Sequence, residues 1–265
     1  VFLQHGITKD DISGWLNKYD KDIRLFITAA KPEYQSILKN EYGYNKDEVI
    51  LSGFPRYDKL KNNPKREILI MPTWRHYLAT PINKNGLNVR NPDFMESNYF
   101  KFYNSLINNK KLIKKLKETN YKLKLCLHPS SIPNADDFAD NPYVEISKEI
   151  CDYSKEFGDG ALLITDYSSV AFDFAYLRKP VIYTQFDSEK FFSNHIYEKG
   201  YFDYLENGFG PVCYNLEETV EKTILQIDNN FELEEQYVKR INNFFEYNDK
   251  NNSKRVYEAI LNLNK

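Results

Sequence analysis

Two histidines and a serine pair stand where this chain could move a proton and hold an anion. His5 and His128 each follow a short apolar run, at residues 1–3 and 123–127, and each precedes a residue that favours a loop, Gly6 in one case and Pro129 in the other. Pro129 keeps His128 out of the α region, so no helix starts there and the imidazole stays in a loop. An imidazole at the carboxyl end of a strand lies where open α/β sheets place their ligands, and histidine suits proton transfer near neutral pH. A hydrogen-bonded loop histidine is the competing reading of His5. The serines, Ser168 and Ser169, belong to the stretch 161–177, ALLITDYSSVAFDFAYL. Residues 161–165 are an apolar, partly β-branched run of strand type, and from Val170 apolar residues recur at helical spacing. Asp166, Tyr167, Ser168 and Ser169 therefore fill a strand-to-helix turn. Such a turn aims backbone N–H groups, two hydroxyls and the positive end of a helix dipole at one point, as a phosphate or pyrophosphate requires. The competing role is a plain helix cap.

Other polar clusters follow strand-like runs in the same way. Residues 68–71 lead into Pro72-Thr73-Trp74-Arg75-His76, residues 123–127 into His128-Pro129-Ser130-Ser131, and residues 49–52 into Gly53-Phe54-Pro55-Arg56-Tyr57-Asp58. Arg56 is either an anion contact or a local ion-pair partner of Asp58. The clusters at 4–6, 72–76, 128–131 and 166–169 all sit at strand ends, and in a parallel sheet those ends share one edge. Their convergence weighs more than any one motif. No GxGxxG follows a strand, and GxxxxGK, HExxH and CxxC are missing, which removes the simple dinucleotide, P-loop and zinc readings.

The elements that must position these clusters alternate. Strands are expected at 1–3, 25–28, 49–52, 68–71, 123–127, 143–146, 161–165, 180–184 and 212–213. Helices are expected at 32–42, 94–118, from 170, and at 216–228, 233–247 and 253–263. Residues 77–93 and 189–210 lack a steady period and read as irregular. Short apolar strands alternating with helices argue for an α/β fold, parallel sheets covered on both faces. The polar, basic segment 61–66 reads as a linker, which gives one unit at 1–63 and another at 64–265. The lysine run 110–117 reads as a solvated helix face.

The bulk properties narrow the class. The 265 residues carry a net charge of −2, so no global field favours nucleic acid or an acidic membrane. Aromatics make up 15 %, which fits a packed core. Cys126, Cys151 and Cys213 are too widely spaced for a disulfide or zinc pattern and read as small core residues in a reducing compartment. No run approaches the ~20 apolar residues of a membrane span, and no secretory leader is seen. The chain opens on Val1 within a strand-like run, which reads as a piece of a longer protein, cytosolic in character. His76 and His195 are expected to be surface or packing residues and Trp15 and Trp74 packing residues, with a place at the border of the cleft as the alternative for Trp74.

QHG at 4–6, GFPRYD at 53–58, PTWR at 72–75, HPS at 128–130 and ITDYSSVAFDFAYLRKPVIY at 164–183 together resemble the CDP-glycerol glycerophosphotransferase family, which includes the teichoic acid polymerases and primases. Order and spacing agree over nearly the whole chain, and the last motif is specific. The resemblance implies a GT-B-like fold of two Rossmann-like domains, with the tail of the acceptor-side domain at 1–63 and the nucleotide-side domain complete. It implies transfer of glycerol phosphate from CDP-glycerol to a polyol-phosphate or glycan acceptor on a lipid carrier, with release of CMP. The setting implied is the inner face of a bacterial plasma membrane, with membrane contact through parts outside this chain.

By the same resemblance His5 is the general base near the acceptor hydroxyl and His128 lies against the donor phosphates. Asp166, Ser168 and Ser169 receive the pyrophosphate, with Thr73 and Arg75 in the same cleft; Tyr167, Ser130 and Arg56, beside these motifs, are further candidate binding residues. The continuation QHGITKDD departs from the HGTPLK-like pattern of the best-known polymerases, which bears on the acceptor more than on the chemistry. No cofactor is expected beyond loose stimulation by Mg²⁺, because no acidic cluster gathers at the strand ends. Two rival readings keep the fold: a transferase using CDP-ribitol or a nucleotide sugar, and a catalytically silent nucleotide-binding module.

Overall fold

The computed structural model describes residues 1–39, 41–84, 88–193 and 199–263; His195 and Gly86 lie outside them. The N-terminal unit is a short parallel pair covered by helices. Its elements are α1 (Ser13–Leu16), β1 (Phe26–Thr28), α2 (Lys31–Ile37) and β2 (Val49–Leu51), with Phe26 opposite Val49. Phe2 adds a single parallel bridge on the other side of Phe26, while Val1 and Leu3 stay exposed. The strand expected at 1–3 is thus one bridge long. Helix α2 stops five residues short of the expected end because Tyr42 is drawn away into the core, where its hydroxyl accepts the Ile12 N–H at 2.9 Å.

After a 3-10 turn at Pro55–Lys59 and the extended segment 60–66, the second unit begins. It runs β3 (Glu67–Ile70), α3 (Asn98–Ile107), α4 (Lys110–Thr119), β4 (Lys122–Leu125), β5 (Val144–Ile146), α5 (Tyr153–Asp159), β6 (Gly160–Thr165), α6 (Val170–Tyr176) and β7 (Val181–Thr184). Then come α7 (Ser188–Ser193), α8 (Tyr204–Asn207), β8 (Val212–Cys213), α9 (Leu216–Asp228), α10 (Glu235–Phe244) and α11 (Asn252–Asn262). The single helix expected over 94–118 is two. Asn109 breaks it, its side chain accepting the Lys111 and Leu112 N–H groups as the cap of α4. The stretch expected to be irregular at 189–210 contains α8 and most of α7.

All six strands of the second sheet are parallel, in the order β5-β4-β3-β6-β7-β8. Counted within this unit the order is 3-2-1-4-5-6, and it reverses between β3 and β6. The loops leaving those two strands therefore diverge to opposite faces and open the crevice in which doubly wound sheets bind ligands. Alternation along the strands divides the core in two. Ile68, Ile70, Leu162, Ile164 and Ile182 pack against α3, α4 and α9, while Leu69, Leu163 and Tyr183 pack against Phe172, Phe174 and Phe209.

The last two helices return to the N-terminal unit. Ile241, Phe244 and Val256 share a cluster with Leu25, Ile27, Phe54 and Tyr57. Asp58 accepts the N–H groups of Asn252 and Ser253 at 3.0 and 2.7 Å, at the start of α11. Gly53, at φ +77°, sits where a Cβ would fall 2.0 Å from the Asn252 side chain, so glycine is required there both by backbone and by space. These contacts hold the first unit against the carboxyl edge of the larger sheet. Among the described residues no helix is long and apolar enough to cross a membrane.

Candidate active site

His5 rides on a backbone that is held from below. Gln4 adopts φ +56°, a conformation costly for a non-glycine residue, and its amide is fully engaged. Nε2 donates to the Ile27 carbonyl (2.8 Å) and to Glu33 Oε1 (3.0 Å), and Oε1 accepts the Thr8 hydroxyl (2.7 Å). Glu33, fully buried in α2, also accepts the N–H groups of Thr8 and Ala29, both at 2.8 Å. The His5 side chain is exposed, and its carbonyl accepts from Arg56 Nη1 at 2.9 Å. Gly6 then passes so close to the serine turn that a Cβ on it would lie 3.1 Å from Ser169 Oγ. The QHG loop and the turn after β6 are thereby neighbours across the crevice.

Asp166 and Arg75 do not line the cleft as expected; they lie beneath its floor. Asp166 is wholly buried and accepts the Thr73 N–H (2.8 Å), the Tyr167 N–H (2.6 Å) and the Tyr103 hydroxyl (3.2 Å), and it pairs with Arg75 Nη2 at 2.8 Å. Arg75, 2 % exposed, grips Asp187 with Nε and Nη2 at 2.8 and 3.0 Å and donates to the Thr73 carbonyl at 2.6 Å. This lattice ties the loop after β3 to the loops after β6 and β7. Arg56 also has a different partner from the one its sequence neighbourhood suggests. Nε and Nη2 both reach Asp173 Oδ1 of α6, at 3.0 and 2.5 Å, while Asp58 is occupied at α11. Burial pushes the Asp173 carboxyl up to about 6 in spite of Arg56.

What faces the cavity is a set of unspent donors. Among the described residues Ser169 makes no capping bond, Ser168 Oγ receives only a long one from the Val170 N–H (3.4 Å), and Thr73 Oγ1 is buried without a partner. An orphaned buried hydroxyl costs stability unless a ligand or water satisfies it. Tyr167 lines the wall, with its ring stacked on Phe191 at 3.7 Å. On the neighbouring strand end, the Ser130 N–H points at His128 Nδ1 (3.3 Å) and the Ser130 hydroxyl lies 2.7 Å from the same atom. Nδ1 therefore keeps a lone pair, and the neutral ring carries its proton on Nε2, free to donate. Burial lowers the His128 pKa, so that neutral form predominates at pH 7.

These groups surround one cavity of about 590 Å³, lined among others by His5, Arg56, Thr73, His128, Ser168 and Ser169. Both tryptophans of the chain, Trp15 and Trp74, are on its wall, which corrects the reading of Trp15 as packing and agrees with the alternative kept for Trp74. Tryptophan emission should therefore change when a ligand fills this cavity. Titrating wild type beside the variant with Trp15→Phe and Trp74→Phe checks this, and the double variant should lose the change.

The sequence reading missed Gln4, Glu33, Asp173 and Asp187. A carboxylate within the apolar face of α6 was a usable signal for Asp173; nothing local marks Glu33. Burial raises Glu33 to about 7 against the N–H groups that face it, and Tyr57, Tyr201 and Arg56 lie within reach of its charge. An acid whose folded pKa exceeds its unfolded value stabilises fully below the lower value and loses that contribution as pH rises through the upper one. The unfolding free energy, wild type minus Glu33→Gln, should thus fall by roughly 3 kcal/mol between pH 4.5 and 7, measured by urea denaturation.

A doubly wound parallel sheet, with a polar crevice at its switch point closed by a second α/β unit, is an α/β architecture of the GT-B kind. Within that class, the chain belongs to the CDP-glycerol:poly(glycerophosphate) glycerophosphotransferase family, whose sequence model matches residues 4–262. It is 46 % identical over 265 residues to the minor teichoic acid biosynthesis protein GgaB of Bacillus subtilis (strain 168), covering 99 % of this chain and 29 % of that protein. The wall teichoic acid polymerase TagF shares the fold at 17 % identity, with a TM-score of 0.68 over 97 % of this chain and 66 % of that one. A histidine-to-asparagine variant of TagF soaked with CDPG aligns at 19 % identity with a TM-score of 0.64, covering 92 % of this chain and 61 % of that one. The chain is thus a member of this glycerophosphotransferase family, and it spans less than a third of GgaB.

Proposed function

We propose that this chain is the catalytic core that moves glycerol phosphate from CDP-glycerol to the hydroxyl end of a teichoic-acid-like or capsular polymer. One observation carries the reading: an imidazole on the loop of the first unit faces the Thr73, Ser168 and Ser169 hydroxyls at the switch point of the second, across a single cavity. Phosphoryl transfer asks mainly for positioning and for neutralisation of charge, and the two walls supply one each. The CDPG-soaked TagF variant supports CDP-glycerol as donor.

In this mechanism the acceptor hydroxyl gives its proton to the unprotonated His5 imidazole as its oxygen attacks the glycerol-bearing phosphorus. The bond from that phosphorus to the bridging oxygen breaks, and CMP departs with the electron pair. The negative charge meets the Ser168 and Ser169 N–H groups and hydroxyls, the Thr73 hydroxyl and His128 Nε2–H, the latter held by Ser130. Arg56 carries His5 by its carbonyl and serves as the near cation. Arg75 and Asp166 act one layer below, by fixing the Thr73 and Tyr167 backbone. The reaction belongs at the inner face of the membrane, where a lipid-borne acceptor would present its end to the cleft.

The test is incubation of the full-length protein with CDP-glycerol and candidate acceptors, following CMP. Release of CMP with growth of the acceptor is the expected result. Turnover of CDP-ribitol or a sugar nucleotide in its place would redirect the donor assignment, and binding of CDP-glycerol without turnover would reduce the site to a nucleotide-binding module.

A further inference from the structure

We infer that Glu33 is a positioning residue for the His5 imidazole, acting through Gln4 and Thr8; this rests on the assignment of His5 to the reacting end. Oε1 of Glu33 holds the residue before His5, by Gln4 Nε2 at 3.0 Å, and the residue three after it, by the Thr8 N–H at 2.8 Å. Oε2 is anchored to the Ala29 N–H at 2.8 Å, directly after β1. The clamp is closed by the Thr8 hydroxyl on Gln4 Oε1. No hydrogen bond of the His5 side chain itself is found among the described residues, so what places the imidazole at the cavity is the backbone on either side, which fixes the Cα–Cβ bond.

Three features make the carboxylate hard to replace. All the groups that Glu33 faces are donors, so an amide at this position must turn its own N–H₂ toward at least one of them. Aspartate is one methylene too short to reach both Gln4 and Ala29. The left-handed Gln4 backbone persists only while its surroundings over-determine it, and the Glu33 bond is one of three on its side chain. An apolar side chain would fill the same volume without desolvating a charge. It could not fix Gln4 and Thr8.

The experiment compares wild type, Glu33→Gln and Gln4→Gly in the full-length protein, by steady-state CMP release and by amide hydrogen exchange read by mass spectrometry. Gln4→Gly keeps the left-handed backbone accessible and removes the clamp while leaving Glu33 its Thr8 and Ala29 N–H donors, so it serves if Glu33→Gln folds poorly. Both variants should lose about 10²-fold in kcat, the scale expected of an angstrom-sized misplacement, with KM for CDP-glycerol within about threefold because the donor groups lie on the other wall. Exchange should rise about tenfold over residues 4–9 and stay unchanged over β3 and β6. Wild-type kcat, or loss of protection across β3 and β6 together with 4–9, would overturn the inference. If wild type releases no CMP, the donor reading fails; unchanged exchange at 4–9 in both variants would then refute the clamp on its own.

Discussion

His5→Ala will slow CMP release by about 10²- to 10⁴-fold, the usual contribution of a positioned general base. KM for CDP-glycerol should change little, and the melting temperature should hold. The reasoning is local. The His5 ring is exposed and spends no hydrogen bond on the fold, so truncating it removes no packing and leaves no orphan; surface changes of that kind stay within about 0.5 kcal/mol. Thr73, His128, Ser168 and Ser169, to which the proposed mechanism gives the leaving group, line the same cavity and are untouched. His128→Ala has a different signature, because that ring is partly buried and its Nδ1 receives Ser130. Full turnover in His5→Ala would dismiss the base assignment and leave the acceptor proton to another group.

Much of the frame was legible because strand-end loops advertise themselves. The runs at 68–71, 123–127 and 161–165 end in polar clusters, and the fold sets the loops carrying Thr73, His128 and Ser168 around one cavity. What could not be read was which charge meets which. Arg56 and Asp58 are two apart, and proximity in sequence argued for a local pair. A 3-10 turn sends their side chains apart, Arg56 to Asp173 at 117 residues' separation and Asp58 to the start of α11. Asp166 was placed correctly at a strand end, but its burial depends on Arg75, Tyr103 and Asp187 arriving from other strands and helices. Glu33 carries no local sign at all, since a glutamate in a first helical turn is the ordinary preference of the helix dipole. The break at Asn108 and Asn109 was the readable miss, since two asparagines in a row suit a cap better than a helix interior.

The largest stability effect should come from Arg75→Lys, a loss of about 3–5 kcal/mol in unfolding free energy. The guanidinium makes two parallel bonds to Asp187, one to Asp166 and one to the Thr73 carbonyl, all within a site it shares with the Tyr99, Tyr167 and Phe191 rings at 5.0 to 5.3 Å. Its planar fork spans two carboxylates at once; an ammonium is a point charge and cannot. Lysine would leave at least one of Asp166 and Asp187 without its cation in a place water does not reach, and an unpaired buried charge costs more than the pair ever contributed. Asp187→Asn on its own should cost less, since Asp166 keeps Arg75 and the Thr73 and Tyr167 N–H groups. In Arg75→Lys, adding Asp187→Asn should restore part of the loss, because it removes the carboxylate that the single variant strands. Urea denaturation of the four proteins completes the cycle. Additive losses would mean that the guanidinium and Asp187 do not act as a unit, and the tie between the loops after β3 and β7 would lose its physical basis.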